Sequence, residues 1–305
     1  MKRIRAKCMP LTLVILAFFI FGSAGPGYAL PLRWDLDMIH RNDSFRWSIA
    51  GDSNGANPNV LSELTWTDIE TWPMAASLGI GLGPRLELQA RGLFAMIGRG
   101  YVQDSDYDGD DRTLEFSRSN NQTAGDVLYD LSGAVVYHFV ANSRWSVAAK
   151  LGYSREAQHF RMVNGFQTIP ADGSFAGLNS TYQASWNGPF LGLNSLYRGG
   201  WVDLTGDIEY HWAAYYGEGD WNLRDNLAHP VSFIHQASGN GWRIDLGMAV
   251  KLTDHWRIRF NMQTGDWNAG PGLDQVLASD GSTIETQLNE VAWNNLTMAC
   301  RAEWR

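Results

Sequence analysis

Residues 104–115 concentrate acidic side chains at a spacing that suggests chemistry. Asp104-Ser105-Asp106-Tyr107-Asp108-Gly109, with Glu115 after five more residues, fits the pattern D-x-D-x-D-G-x5-E. In such a loop alternate carboxylates wrap a calcium ion, glycine allows the sharp turn, and the last glutamate binds through both oxygens. The candidate ligands are Asp104, Asp106, Asp108, Asp110 and Glu115. Asp111 and Arg112 depart from the pattern, because an apolar residue and a small polar ligand are usual there, and a strand rather than a helix precedes the run. The plainer alternative is a solvated acidic run.

The elements that must carry this loop come from the rest of the chain. Lys2, Arg3, Arg5 and Lys7 precede an apolar stretch from Leu11 to Phe21, and small residues then lead to Gly27-Tyr28-Ala29. This reads as a secretory signal peptide over residues 1–29, with an apolar core too short for a comfortable transmembrane helix. Without it, 20 Lys and Arg face 32 Asp and Glu, a formal charge of about −12. An acidic surface of this kind gives no reason to expect nucleic acid. Cys300 is the one cysteine left, so no intrachain disulfide forms in the mature chain.

No later stretch holds eighteen consecutive apolar residues. Alternation with a period of two takes the place of such a stretch. From Arg243 to Leu252, from His255 to Gln263, from Arg85 to Arg91 and from Val202 to Trp212, apolar residues alternate with polar, charged or small ones. Adjacent residues of a strand face opposite ways, so each segment has one apolar and one polar face. The pattern predicts strands near 33–49, 60–81, 85–101, 124–140, 144–162, 181–197, 201–216, 231–252, 255–267 and 285–304. Connections at 82–84, 141–143, 198–200 and 253–254 are very short, and those at 50–59, 102–123, 163–180, 217–230 and 268–284 are long and polar. Short turns alternating with long loops are the signature of an outer-membrane barrel, with tight periplasmic turns and long extracellular loops. Trp145, Trp201, Trp256 and Trp304 beside the short turns suit an interfacial girdle. The expected fold is thus all-β, a ten-stranded antiparallel transmembrane β-barrel formed by one domain over 30–305. It would sit in the bacterial outer membrane with its loops facing the cell exterior. A soluble secreted β-protein is the alternative to it.

Within that frame the chain shows, in order, Leu61-Ser62-Glu63-Leu64-Thr65-Trp66, Gly98-Arg99-Gly100, Asp104-Ser105-Asp106-Tyr107, Pro189-Phe190-Leu191-Gly192-Leu193 and Gly206-Asp207-Ile208-Glu209-Tyr210. The order resembles the omptins, ten-stranded surface proteases of the outer membrane, over roughly 60–305. The resemblance implies an endopeptidase in which an Asp-x-Asp pair on one wall and an Asp-x-His pair on the facing wall hold a water, with the histidine as general base. Asp104 and Asp106 match the first pair. Asp220 matches the second aspartate, and Asn222 stands at the histidine position, where a neutral amide accepts no proton from water. His229 is the candidate substitute base, and His235 is also near the mouth. His211 lies nine residues before Asp220, about 30 Å lower along the strand.

The resemblance also implies lipopolysaccharide as an activator. The arginine that omptins carry shortly before Pro189 is Ser185 here, with Arg155 and Arg161 nearby on the preceding strand. Three functions follow as expectations. The first is a surface endopeptidase with a non-standard base, acting on peptide or protein substrates. The second is a proteolytically inactive relative that binds calcium or a surface partner through its loops. The third, ranked last, is a diffusion pore, since side chains mostly fill the lumen of so narrow a barrel.

Overall fold

The computed structural model describes residues 32–253 and 256–304, so the expected signal peptide at 1–29 lies outside the described residues. The strands are β1 (Leu32–Ile49), β2 (Ser62–Thr71), β3 (Met74–Gly81), β4 (Leu86–Gly109), β5 (Thr113–Thr123), β6 (Val127–Ala141), β7 (Trp145–Val163) and β8 (Phe166–Ile169). They continue as β9 (Gly173–Ser174), β10 (Thr181–Arg198), β11 (Val202–Asp220), β12 (Phe233–Lys251), β13 (Trp256–Ala269), β14 (Gly272–Leu277) and β15 (Thr283–Trp304). All pair antiparallel, and the β7–β10 and β1–β15 ladders close the sheet on itself.

Fifteen strands make ten walls. β2 and β3 both pair β1 and β4, so they are one wall broken at residues 72–73. β5 pairs the upper half of β4 and β6 the lower half, and β14 continues β13 between β12 and β15. β8 and β9 likewise prolong the walls of β7 and β10. The result is a ten-walled antiparallel β-barrel, with short turns at one end and taller, more varied connections at the other.

The sequence-based expectation of long loops at 102–123, 163–180 and 268–284 needs correction. Much of each is strand: β4 and β5 meet across the three-residue turn Asp110–Arg112, and β14 and β15 across 278–282. Above an apolar belt both strand faces meet water or polar neighbours, so hydrophobic alternation fades while the backbone ladder continues. The loops that remain long are 50–61 and 221–232.

The outer face explains the membrane reading. Leu86, Leu88, Phe94 and Met96 of β4, Leu204, Ile208 and Trp212 of β11, and Leu246 and Met248 of β12 all point outward and are exposed. Trp145, Trp201 and Trp256 edge this belt near the short turns, while Tyr101, Tyr153, Trp212 and Trp242 edge it above. Trp201 to Trp212 is eleven residue steps, about 28 Å at 3.3 Å per residue and a 40° tilt. That matches the apolar band of an outer-membrane barrel, and β11 runs eight residues further.

Side chains fill the lumen in two storeys. At mid-height the guanidinium of Arg41 binds Asp43 at 2.8 Å and Asp130 at 2.6 Å, and lies over the Trp293 ring. Arg243 pairs with Glu156 and Glu209, and Lys150 pairs with Glu209 and, at 2.7 Å, with Asp207. Buried charges persist only when paired in this way. Above them Phe45, Trp47, Trp66, Phe160, Tyr182, Trp186, Tyr215, Phe233, Trp267 and Trp293 form one buried cluster. Trp66 stacks on Phe160 at 5.0 Å and Trp267 on Trp293 at 5.5 Å, within the range of favourable aromatic pairs.

Candidate functional site

Asp104 and Asp106 lie on the lumen face of β4, since their cross-strand partners on β2 are Leu64 and Ser62 and Leu64 is fully buried. Both are half-buried just above the aromatic cluster. The Ser62 and Ser117 hydroxyls donate to Asp106, and the Trp221 indole N–H donates to Asp104. Burial pushes the Asp104 carboxyl up to about 8, reinforced by the charge of Asp106 and opposed by the guanidinium of Arg224 and the Trp221 hydrogen bond. Burial also raises Asp106, against the Ser62 hydrogen bond and the Arg224 charge. Two adjacent carboxylates withdrawn from water resist being ionised together.

What faces the pair is therefore the loop after β11. Trp221 enters the mouth, packing against Phe233 at 4.5 Å and Trp47 at 6.4 Å, and its backbone N–H donates to the Ser232 hydroxyl at 3.0 Å. Strand parity then decides where Asp220 goes. His211, Ala213, Tyr215, Gly217 and Gly219 are the inward residues of β11, so Asp220 belongs to the opposite, outward set with Tyr216 and Glu218. His229 reaches Asp220 there, with Nδ1 2.6 Å from a carboxylate oxygen, and both are partly exposed. The structure brings Asp220 and His229 together, and on a different face from Asp104 and Asp106.

Asn222 is engaged elsewhere. Its side-chain oxygen accepts from the Asn179 backbone N–H at 2.8 Å and the Ser180 hydroxyl at 3.1 Å, and its amide donates to the Gly177 carbonyl at 2.8 Å. It clasps the 221–232 loop to the segment before β10. His235 and His211 are fully buried in the lumen. His235 meets the Tyr182 hydroxyl at 2.8 Å and Asp274 at 3.3 Å, and His211 meets Ser154 at 3.0 Å and Glu209 at 3.3 Å. Trp221, which meets Asp104, and Arg224, whose charge acts on it, carried no signal in the sequence, because a tryptophan in a polar loop announces no partner.

The side chains expected from the sequence to bind calcium, Asp104, Asp106, Asp108, Asp110 and Glu115, do not converge on one point. Asp104, Asp106 and Asp108 sit at alternate positions of an extended strand, about 6.6 Å of rise apart, rather than on a loop that curls round an ion. Asp110 accepts from the Asn59 backbone N–H at 2.8 Å, and Glu115 is paired with Arg118. Among the described residues no group of three His, Cys, Asp or Glu side chains is arranged to hold a metal ion.

On the outer wall Arg155 reaches the Tyr129 hydroxyl and the Asn187 side chain, both at 3.2 Å. Arg161 reaches Asn179 at 2.8 Å. Ser185 bonds within that wall, receiving the Asn187 amide at 3.3 Å.

Comparison with known proteins bears on the fold and the family. The outer membrane protease OmpT from Escherichia coli shares the fold, with a TM-score of 0.75 at 13% identity over 92% of this chain and 99% of that one. The transport unit of the autotransporter AIDA-I from Escherichia coli aligns at a TM-score of 0.37 and 8% identity, over 96% of each chain. A Pseudomonas aeruginosa FadL homologue aligns at 0.31 and 7%, over 89% of this chain and 90% of that one. Among curated protein sequences none matches. A family model described as "Pom: Protochlamydia outer membrane protein" matches residues 35–302, nearly the whole barrel. By that match, the chain belongs to the Protochlamydia outer membrane protein family.

Proposed function

We propose that this chain is a closed outer-membrane barrel on the fold of the omptins that does not cleave peptides and engages a surface partner through the loops at its tall end. The observation that carries this reading is the position of Trp221. Its indole hydrogen-bonds Asp104 on the inner face, while the partly exposed His–Asp pair at the rim, His229 with Asp220, belongs to the outward face. General-base hydrolysis needs the base within hydrogen-bond reach of the water it deprotonates. In this reading the short turns are periplasmic and the tall end faces the exterior. Lipopolysaccharide phosphates meet Arg155 and Arg161 on the outer wall.

The alternative is an omptin-type endopeptidase, and the 2.6 Å His229–Asp220 contact favours it. There His229 replaces the missing base, and the loop swings to bring it before Asp104 and Asp106. Incubating folded barrel with lipopolysaccharide and basic peptides separates the two. We expect no cleavage above the buffer rate, for the wild type and for His229→Ala alike. Cleavage by the wild type that disappears in both Asp104→Asn and His229→Ala would establish the peptidase instead.

A further inference from the structure

At the short-turn end of the lumen, three side chains from three walls meet in an arrangement that no role described so far uses. The Ser146 hydroxyl at the start of β7 lies 3.0 Å from His138 Nδ1 near the end of β6. His138 Nε2 lies 3.5 Å from a carboxylate oxygen of Glu87 at the start of β4. Gln89 donates to the other oxygen of Glu87 at 3.1 Å, which fixes that carboxylate. A hydroxyl beside a base that a carboxylate orients is the arrangement of an activated serine, recognised by geometry and not by chain order.

The local fold accounts for the placement. Glu87, Val136, His138 and Ala148 share the inward face, as the β4–β6 and β6–β7 registers show. The β6–β7 ladder shifts register between His138 and Val140, leaving Phe139 out of step. A bulge of this kind bends a strand and re-aims the neighbouring side chain, and bulges recur at barrel rims and beside active sites. His138 and Ser146 are part-exposed, while Glu87 is buried behind.

The same three residue types also meet in the middle of the barrel, as Ser154, His211 and Glu209. There all three are buried, and Lys150 and Arg243 neutralise the carboxylate. That cluster is enclosed by packing and serves as an internal comparison.

We propose that Ser146, His138 and Glu87 form an ester-cleaving site in the lumen at the short-turn mouth. The substrate class is a small, uncharged carboxylic ester, because the part-exposed apolar neighbour of Ser146 on the inward face is Leu196, its partner across the β7–β10 ladder. His138 Nδ1 takes the Ser146 proton as Oγ bonds to the acyl carbon. The ester C–O bond breaks, and the leaving alkoxide takes that proton from His138. Water then attacks the acyl-serine with His138 again as base, releasing the acid and restoring Ser146. Glu87 holds the imidazole with Nε2 protonated and stabilises the cation formed at each transfer. The site is separate from Asp104 and Asp106, and its fate does not depend on whether peptides are cleaved.

The test uses full-length folded barrel in detergent, with p-nitrophenyl butyrate as substrate and a fluorophosphonate as serine probe. We expect the probe to attach to Ser146 of the unmutated protein, located by mass spectrometry of its peptides. Hydrolysis should fall about 10²- to 10⁴-fold in Ser146→Ala and His138→Gln, and remain unchanged in Ser154→Ala. Each variant is compared only after it shows the wild-type mobility shift on unheated gels. A wild-type barrel that the probe leaves unlabelled at Ser146 would overturn the proposal. So would hydrolysis that a folded Ser146→Ala variant retains.

Discussion

Asp104 is the residue on which the reading of the upper chamber turns, and its titration gives a signed expectation. Its folded value of about 8 lies above the ordinary 3.8, so the folded chain retains a proton that the unfolded chain releases. The stability tied to that proton is complete below about pH 4 and is lost as pH rises to about 8. Thermal midpoints of the folded-barrel gel shift should therefore decline across that window, and Asp104→Asn should flatten the decline. A decline of equal size in the variant would assign it to other groups. Asn222 yields a second expectation. Replacing it with histidine removes three hydrogen bonds of about 1 kcal/mol each without placing a base before Asp104. Loop 221–232 should become more sensitive to added protease, and peptide cleavage should not appear. A gain of cleavage in Asn222→His would mean that the loop presents residue 222 to the chamber.

At the scale of elements, the lower barrel was legible from the sequence because lipid and lumen impose opposite chemistries on alternate residues. Val202–Asp220 is the clearest case: Leu204, Ile208 and Trp212 point outward, and Asp203, Asp207, Glu209 and His211 point inward. Higher up that contrast is gone. Gln103 and Ser105 alternate with Asp104 and Asp106, and Ser117 and Ser119 with Arg118, so nothing distinguished strand from loop there. The candidate site was harder still to read, because it depends on which way a wall turns. One residue of parity separates Gly219, which faces Phe233, from Asp220, which faces outward. Gly217 shows how tightly the walls hold the aromatic cluster: a Cβ there would collide with the hydroxyls of both Tyr182 and Tyr215. Gly217→Ala should destabilise the barrel by about 1–3 kcal/mol, measured by urea unfolding of the folded gel band. An unchanged midpoint would show that the cluster yields easily.

For the whole molecule, the two storeys of the lumen imply a barrel without a pore. Fully buried Trp66, Trp186, Trp267 and Trp293 lie above a lattice of paired charges, so side chains occupy the lumen at both levels. Planar bilayers containing the protein should show no steady single-channel conductance, and regular open steps in the wild type would refute the filled lumen. The apolar belt and its aromatic edges also require that the protein fractionate with the outer membrane rather than as a soluble periplasmic species.

The most direct test of the closed, non-catalytic chamber is the Trp221 indole in a barrel labelled with nitrogen-15 on tryptophan. Its N–H resonance is identified as the one lost in Trp221→Phe. We expect that resonance to titrate with a midpoint near pH 8, following the carboxyl it donates to, and to stop titrating in Asp104→Asn. A Trp221 resonance that is flat with pH, or that exchanges with water as fast as an exposed indole, would mean that the loop stands away from Asp104 and that the chamber is open.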